Sequence, residues 1–207
     1  MQQPDHYKAT LYQWHQLIQE ASDYSSIWLE PEIESYLLLT LVQYIQNDHL
    51  AEEAIAMALP THILSAEKFS TDMLSNESKV VVKNHKQQLK VRADHSLILA
   101  GLFPAHIDRQ SIRISQYIKI GMNSYSELSY LLEGNDSQIY QKLADSFIKL
   151  VDILHTIRAF TGSPAIPLMQ AMELWSDTGS KSAYQILTMN RQSIPLNESL
   201  LGSSYKH

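Results

Sequence analysis

The chain has no cysteine among its 207 residues, which excludes disulfides, thiolate metal sites and a cysteine nucleophile together. Glycine is scarce as well: the six present are scattered singly, so neither a phosphate-cradling P-loop nor a Rossmann turn is available. A long apolar run is missing. The longest, Tyr36 to Ile45, is interrupted by Thr40 and Gln43 and reaches about half of the ~20 residues a bilayer-spanning helix needs. No stable membrane insertion is expected. The polar start, Met1-Gln2-Gln3-Pro4-Asp5-His6, lacks the charged-then-apolar pattern of a secretory leader, and the expected compartment is the cytoplasm. Basic clusters are absent too. Lys and Arg number 16 against 22 Asp and Glu, a formal net charge of -6, and a mildly acidic surface is a poor match for a phosphate backbone. The expectation is no nucleic-acid partner.

What is present is helical periodicity. Ile33, Leu37, Leu41, Tyr44 and Ile45 form a stripe after Pro31, which sits where a first helical turn accepts proline, and Leu38, Leu39 and Val42 widen it. A segment from about Lys79 to Phe103 reads as one helix, polar and amphipathic first and apolar all round from Leu97, with Pro104 ending it. Ile114, Tyr117, Ile118, Gly121, Tyr125, Leu128 and Leu132 make one face of the next helix, and Gly134 stops it. Asn135 and Gln138 are spaced to cap the following helix reciprocally, along which Ile139, Leu143, Phe147, Leu150, Val151, Leu154 and Ile157 recur. Pro167 opens a shorter helix with Leu168, Ala171, Met172 and Trp175, and Asp177-Thr178-Gly179-Ser180 reads as a turn. Leu11, Trp14, Leu17 and Ile18 support a first helix ending near Ala21, while residues 58–78 read as loop mixed with short helix. The expected architecture is all-α: a single-domain helical bundle of about six to eight helices over residues 1–190, with a loosely packed tail over 191–207.

The chemistry-bearing candidates centre on Asp94. A carboxylate just before an apolar run containing Ala100 and Gly101 needs a partner once it is desolvated. Tyr117, Tyr125 or Arg113 could supply one, and the competing reading is an i,i+4 pair with Lys90 on the surface. These four residues, Asp94, Tyr117, Tyr125 and Arg113, are the candidate ligand-binding set. Gly121 lies between two phenols at four-residue steps, which predicts a close helix crossing. Gly101, Gly121, Phe103 and Trp175 are read as structural.

Other patterns carry less. His95 shares a stripe with Gln88, Arg92 and Leu99 that begins polar, so a surface or boundary position is expected. Asp152-Ile153-Leu154-His155 has the i,i+3 spacing of di-iron bundles, but no second copy exists, and Asp152 falls with Asp145 and Lys149 on what reads as a solvated face. Asp177-Thr178-Gly179 spells the aspartic-protease triplet in a helical context, where it reads as a cap and turn. No catalytic residue, metal or cofactor is assigned.

Ala93, Asp94, Ser96-Leu97 and Gly101-Leu102-Phe103, then Tyr117, Gly121, Ser124 and Tyr125, then Leu174-Trp175 and Thr178-Gly179-Ser180 together give a pattern that resembles a family of helical bacterial cytoplasmic proteins with no established activity. The resemblance covers roughly residues 30 to 190. Ala93 stands where that pattern often has glycine. It implies a bacterial, cytoplasmic, helical protein and nothing catalytic. The expected role is a non-enzymatic interaction or regulatory module, binding a protein partner or a second copy of itself. The alternatives are a small-molecule binder or enzyme with a pocket between the helices carrying Asp94 and Tyr117/Tyr125, and, third, a membrane-associated effector.

Overall fold

Proline and glycine set the limits of most helices, and apolar periodicity decides what lies between them. The computed structural model describes the backbone of residues 4–46, 76–108 and 113–193, and the side chains of residues 10–44, 84–107 and 113–190. Eight helices occur among the described residues, and no strand does: α1 (Pro4–Ser25), α2 (Pro31–Gln46), α3 (Asn76–Leu102), α4 (Pro104–Asp108), α5 (Ile114–Leu131), α6 (Gly134–Phe160), α7 (Leu168–Thr178) and α8 (Lys181–Ser193). The all-α expectation holds, with eight helices among the described residues.

Pro31 occupies the first turn of α2, where its missing N–H is no loss, and Glu32 and Glu34 complement the positive helix end. Phe103 lies outside both neighbouring helices because Pro104 disfavours the α region for the residue before it. Gly162 and Gly179 adopt left-handed backbone, with φ of 73° and 70°, just beyond the ends of α6 and α7, as glycine allows.

Some limits differ from expectation. Helix α1 continues to Ser25, whose hydroxyl donates to the Ala21 carbonyl at 2.6 Å, and stops at Ser26, with φ of 51°. Helix α6 begins at Gly134 with Glu133 as its cap residue, so Asn135 and Gln138 lie inside the first turn rather than closing a box. The α5–α6 turn is tied instead by Ser137 Oγ, which donates to the Ser129 carbonyl at 2.8 Å. Of the segment expected to mix loop and short helix, 58–75 lies outside the described residues and 76–78 begins α3. Helix α8 passes Arg191 to Ser193, and residues 194–207 lie outside the described residues.

Helix α6 is central, packing against α1, α2, α3, α5 and α8. Phe147, Leu150, Val151, Ile153 and Leu154 are fully buried on it, and one apolar cluster runs from Ile18 to Ala183. Burying each such large side chain stabilises by ~1.5–3 kcal/mol, so the apolar stripe of α6 sets the assembly. Two glycines permit its close crossings. A Cβ on Gly121 of α5 would collide with the Phe147 ring, and one on Gly101 of α3 would lie 2.5 Å from Leu154 Cβ. Phe103 and Trp175 are 44% and 45% exposed, with their rings tilted at 38° against those of Tyr44 and Tyr184 respectively. Leu39, Leu168 and Met172 are likewise exposed, on faces of α2 and α7 turned away from the apolar core of the described residues.

Candidate functional site

Three helices bring a polar cluster to the seam that the sequence marks. Asp94 on α3 accepts from the Tyr36 hydroxyl of α2 at 2.7 Å and the Tyr125 hydroxyl of α5 at 2.6 Å, both at Oδ1. Its Oδ2 accepts from Lys90 Nζ, which also stands 5.2 Å from the centroid of the Tyr36 ring, a cation–π distance. Both expected kinds of partner are therefore present at once. Three donors converge on the Asp94 carboxylate. Burial, then the Asp94 charge, push the Tyr36 and Tyr125 hydroxyls well above the ordinary phenol range. They stay protonated donors at any physiological pH.

The seam is solid. Tyr125 is wholly buried, with the rings of Tyr36, Tyr140 and Phe147 at centroid distances of 6.0, 5.9 and 5.9 Å. Open space lies just outside it, in a groove of about 410 Å³ lined by α2, α3, α5 and α6. Of the candidate ligand-binding residues, only Asp94 and Tyr125 come together. Tyr117 is buried but stands eight residues before Tyr125, about 12 Å away along the helix. Arg113 turns to α7, where its Nε lies 3.7 Å from Glu173. Tyr36, which completes the cluster, carries no signal in the sequence beyond its place on a helical stripe.

A second, fully buried cluster lies where a solvated face was expected. Asp152 of α6 sits at the N-terminus of α8, which Ser180 caps by accepting from the Ala183 N–H at 3.2 Å. Asp152 accepts from the N–H groups of Lys181 and Ser182 at 2.9 and 3.2 Å, and from the Ser180 and Ser182 hydroxyls at 2.5 and 2.7 Å. An anion among the unsatisfied N–H groups of a helix start is a favourable placement. His155, one turn on, has Nε2 2.9 Å from the Ala100 carbonyl of α3 and Nδ1 2.9 Å from Ser182 Oγ. Since a carbonyl only accepts, Nε2 carries the hydrogen. Burial holds the imidazole below its usual range despite the nearby carboxylate.

Serine, histidine and aspartate meet here without forming a catalytic triad. Asp152 and His155 contact the same serine oxygen instead of forming a relay from carboxylate through imidazole to nucleophile. Ser182 is 8% exposed, and its hydroxyl donates to Asp152 Oδ1 instead of to the imidazole. The cluster locks α8 and α3 onto α6. The local signal was Gly179-Ser180-Lys181-Ser182, a helix stop followed at once by a capping serine, which asks for an anion nearby.

His95 is also buried rather than at the boundary, because α3 enters the core between Arg92 and Leu97. Its Nε2 has no hydrogen-bond partner among the described residues. Burial, then the proximity of His106, hold it down to about 4. Above its ordinary value of 6.5 the imidazole is neutral folded or unfolded. As pH falls, the unfolded chain binds the proton first, so stability present above 6.5 is lost towards 4. The expected loss from His95 is on the order of 3 kcal/mol. Urea melts of wild type and His95→Leu at neutral and acid pH check this: the variant should lose markedly less on acidification, and equal losses would exclude His95 as the source.

No group of three or more His, Asp or Glu able to hold a metal ion occurs among the described residues, and no helix among them is long and apolar enough to cross a membrane. Compared with family models, curated proteins and solved structures, the chain finds no match.

Proposed function

We propose that this protein is a non-enzymatic interaction module that self-associates through the outer face of α7 and α8. The observation that carries this reading is a contiguous exposed apolar surface. Leu168, Met169, Met172 and Trp175 on α7 are 47%, 70%, 58% and 45% exposed, and the Trp175 ring packs against Tyr184 of α8, itself half-exposed, at 5.7 Å between centroids. Scattered apolar residues are normal on a surface, but a cluster combining methionine, tryptophan and tyrosine has the composition of an interface core. A second copy is the favoured occupant because the nearby charges include both signs, Glu173 and Asp177 with Arg113 and Lys181, as a surface meeting itself across a two-fold axis requires. The engagement of every polar atom of Asp94 and Asp152 in internal bonds supports a structural role for the carboxylate clusters over a catalytic one.

Sedimentation of the full chain across the micromolar range tests the proposal. Wild type should dimerise, and Met169→Glu/Met172→Glu, which changes only exposed side chains, should weaken the dimer by at least about tenfold. A wild type that remains monomeric throughout, or a double variant that dimerises equally well, would overturn it.

A further inference from the structure

We infer that the groove beside the Asp94 cluster binds a small amphipathic monocarboxylic acid, with its carboxylate at Lys86 and Lys90 and its apolar body on Leu128, Leu132 and Ile139. The groove encloses about 410 Å³ and all five residues line it, a size in the range of small-molecule sites. Its two sides differ in chemistry. Lys86 and Lys90 are four residues apart on α3 and so project from the same face. Leu128 on α5, Leu132 just past its end and Ile139 on α6 supply an apolar wall.

Charge decides what fits. Two lysines at i,i+4 repel each other, and only one is compensated: Lys90 is held by Asp94, whereas Lys86 forms no ion pair with any described residue. The groove therefore presents one ammonium awaiting an anion beside another already fixed in position. Lys90 is preorganised, since its partner Asp94 is in turn held by Tyr36 and Tyr125, and a ligand does not have to order it. Asp136 is the acidic residue lining the groove, and it disfavours a second carboxylate on the same ligand. A single negative charge with an apolar tail meets all three conditions. A neutral alcohol leaves Lys86 uncompensated, and a dicarboxylate meets Asp136.

The test uses octanoate, octanol and octanedioate as probes in amide NMR titrations of the full ¹⁵N-labelled chain. Octanoate should shift amides of Lys86 to Lys90, Leu128 to Leu132 and Asp136 to Tyr140. Octanedioate should bind more weakly, and octanol should leave the amides of Lys86 and Lys90 unmoved. K86Q should weaken octanoate by about tenfold, and K86E should abolish its binding. Lys86 is half-buried and has no ion pair to lose, so both variants should melt as wild type does. The inference is overturned if octanoate shifts nothing, shifts only α7 and α8, or binds K86Q as tightly as wild type.

Discussion

Asp152→Ala is expected to cost this protein about 3–5 kcal/mol of stability, the largest effect of any single polar substitution in it. The substitution removes the acceptor of four donors at once, the Lys181 and Ser182 N–H groups and the Ser180 and Ser182 hydroxyls. Ser180 and Ser182 are buried, so water does not replace what is lost, and each unsatisfied buried donor costs ~1–3 kcal/mol. Part of this is recovered because Ser180 and Ser182 can bond each other across their 3.1 Å separation. Asp152→Asn keeps the shape but turns an amide NH₂ towards donors, and about 1–3 kcal/mol is expected. Asp145→Ala is the control: it lies on the same helix, exposed, and accepts from the neighbouring Gln141 amide, so its cost should stay within ~0.5 kcal/mol. Denaturant melts of the three variants check the order. Equal, mild losses for Asp152→Ala and Asp145→Ala would show that the α6–α8 cluster contributes nothing.

Gly121→Leu is expected to cost about 3 kcal/mol or more, at or above the upper end of ordinary overpacking. The glycine has no room even for a methyl group, since the Phe147 ring occupies the position of a Cβ. Phe147 has nowhere to retreat, being fully buried on the central helix with Tyr125 at 5.9 Å. Gly121→Ala is the more discriminating variant. In an open helix position alanine would stabilise by ~1 kcal/mol, whereas here the collision reverses the sign and a lower melting temperature is expected. A Gly121→Ala protein that melts higher than wild type would mean that α5 and α6 part at no cost.

Asp94 was legible as a carboxylate in need of a partner because it directly precedes an apolar run, and Tyr125 was one of three partners offered for it, with Tyr117 and Arg113. Tyr36 was not. It reaches Asp94 across 58 residues of sequence, and nothing in local periodicity reports which of several phenols a distant helix will deliver. Arg113 and Tyr117 were plausible for the same reason, and packing sent one to Glu173 and the other into the core two turns away. Asp152 failed in the opposite direction. Its stripe-mates Asp145 and Lys149 are exposed, and the stripe stays polar in composition where it passes beneath the start of α8.

The sequence by itself determined the helices, most of their limits and the apolar faces of α5 and α6, because a 3.6-residue period and the backbone preferences of proline and glycine act within a few residues. Tertiary structure decided which partners each buried polar group meets. A carboxylate is admitted to the interior only where donors from other helices converge on it, as Tyr36 and Tyr125 do on Asp94 and the first turn of α8 does on Asp152. That convergence depends on how whole helices cross, and the crossings are set by the summed packing of residues far apart in the chain.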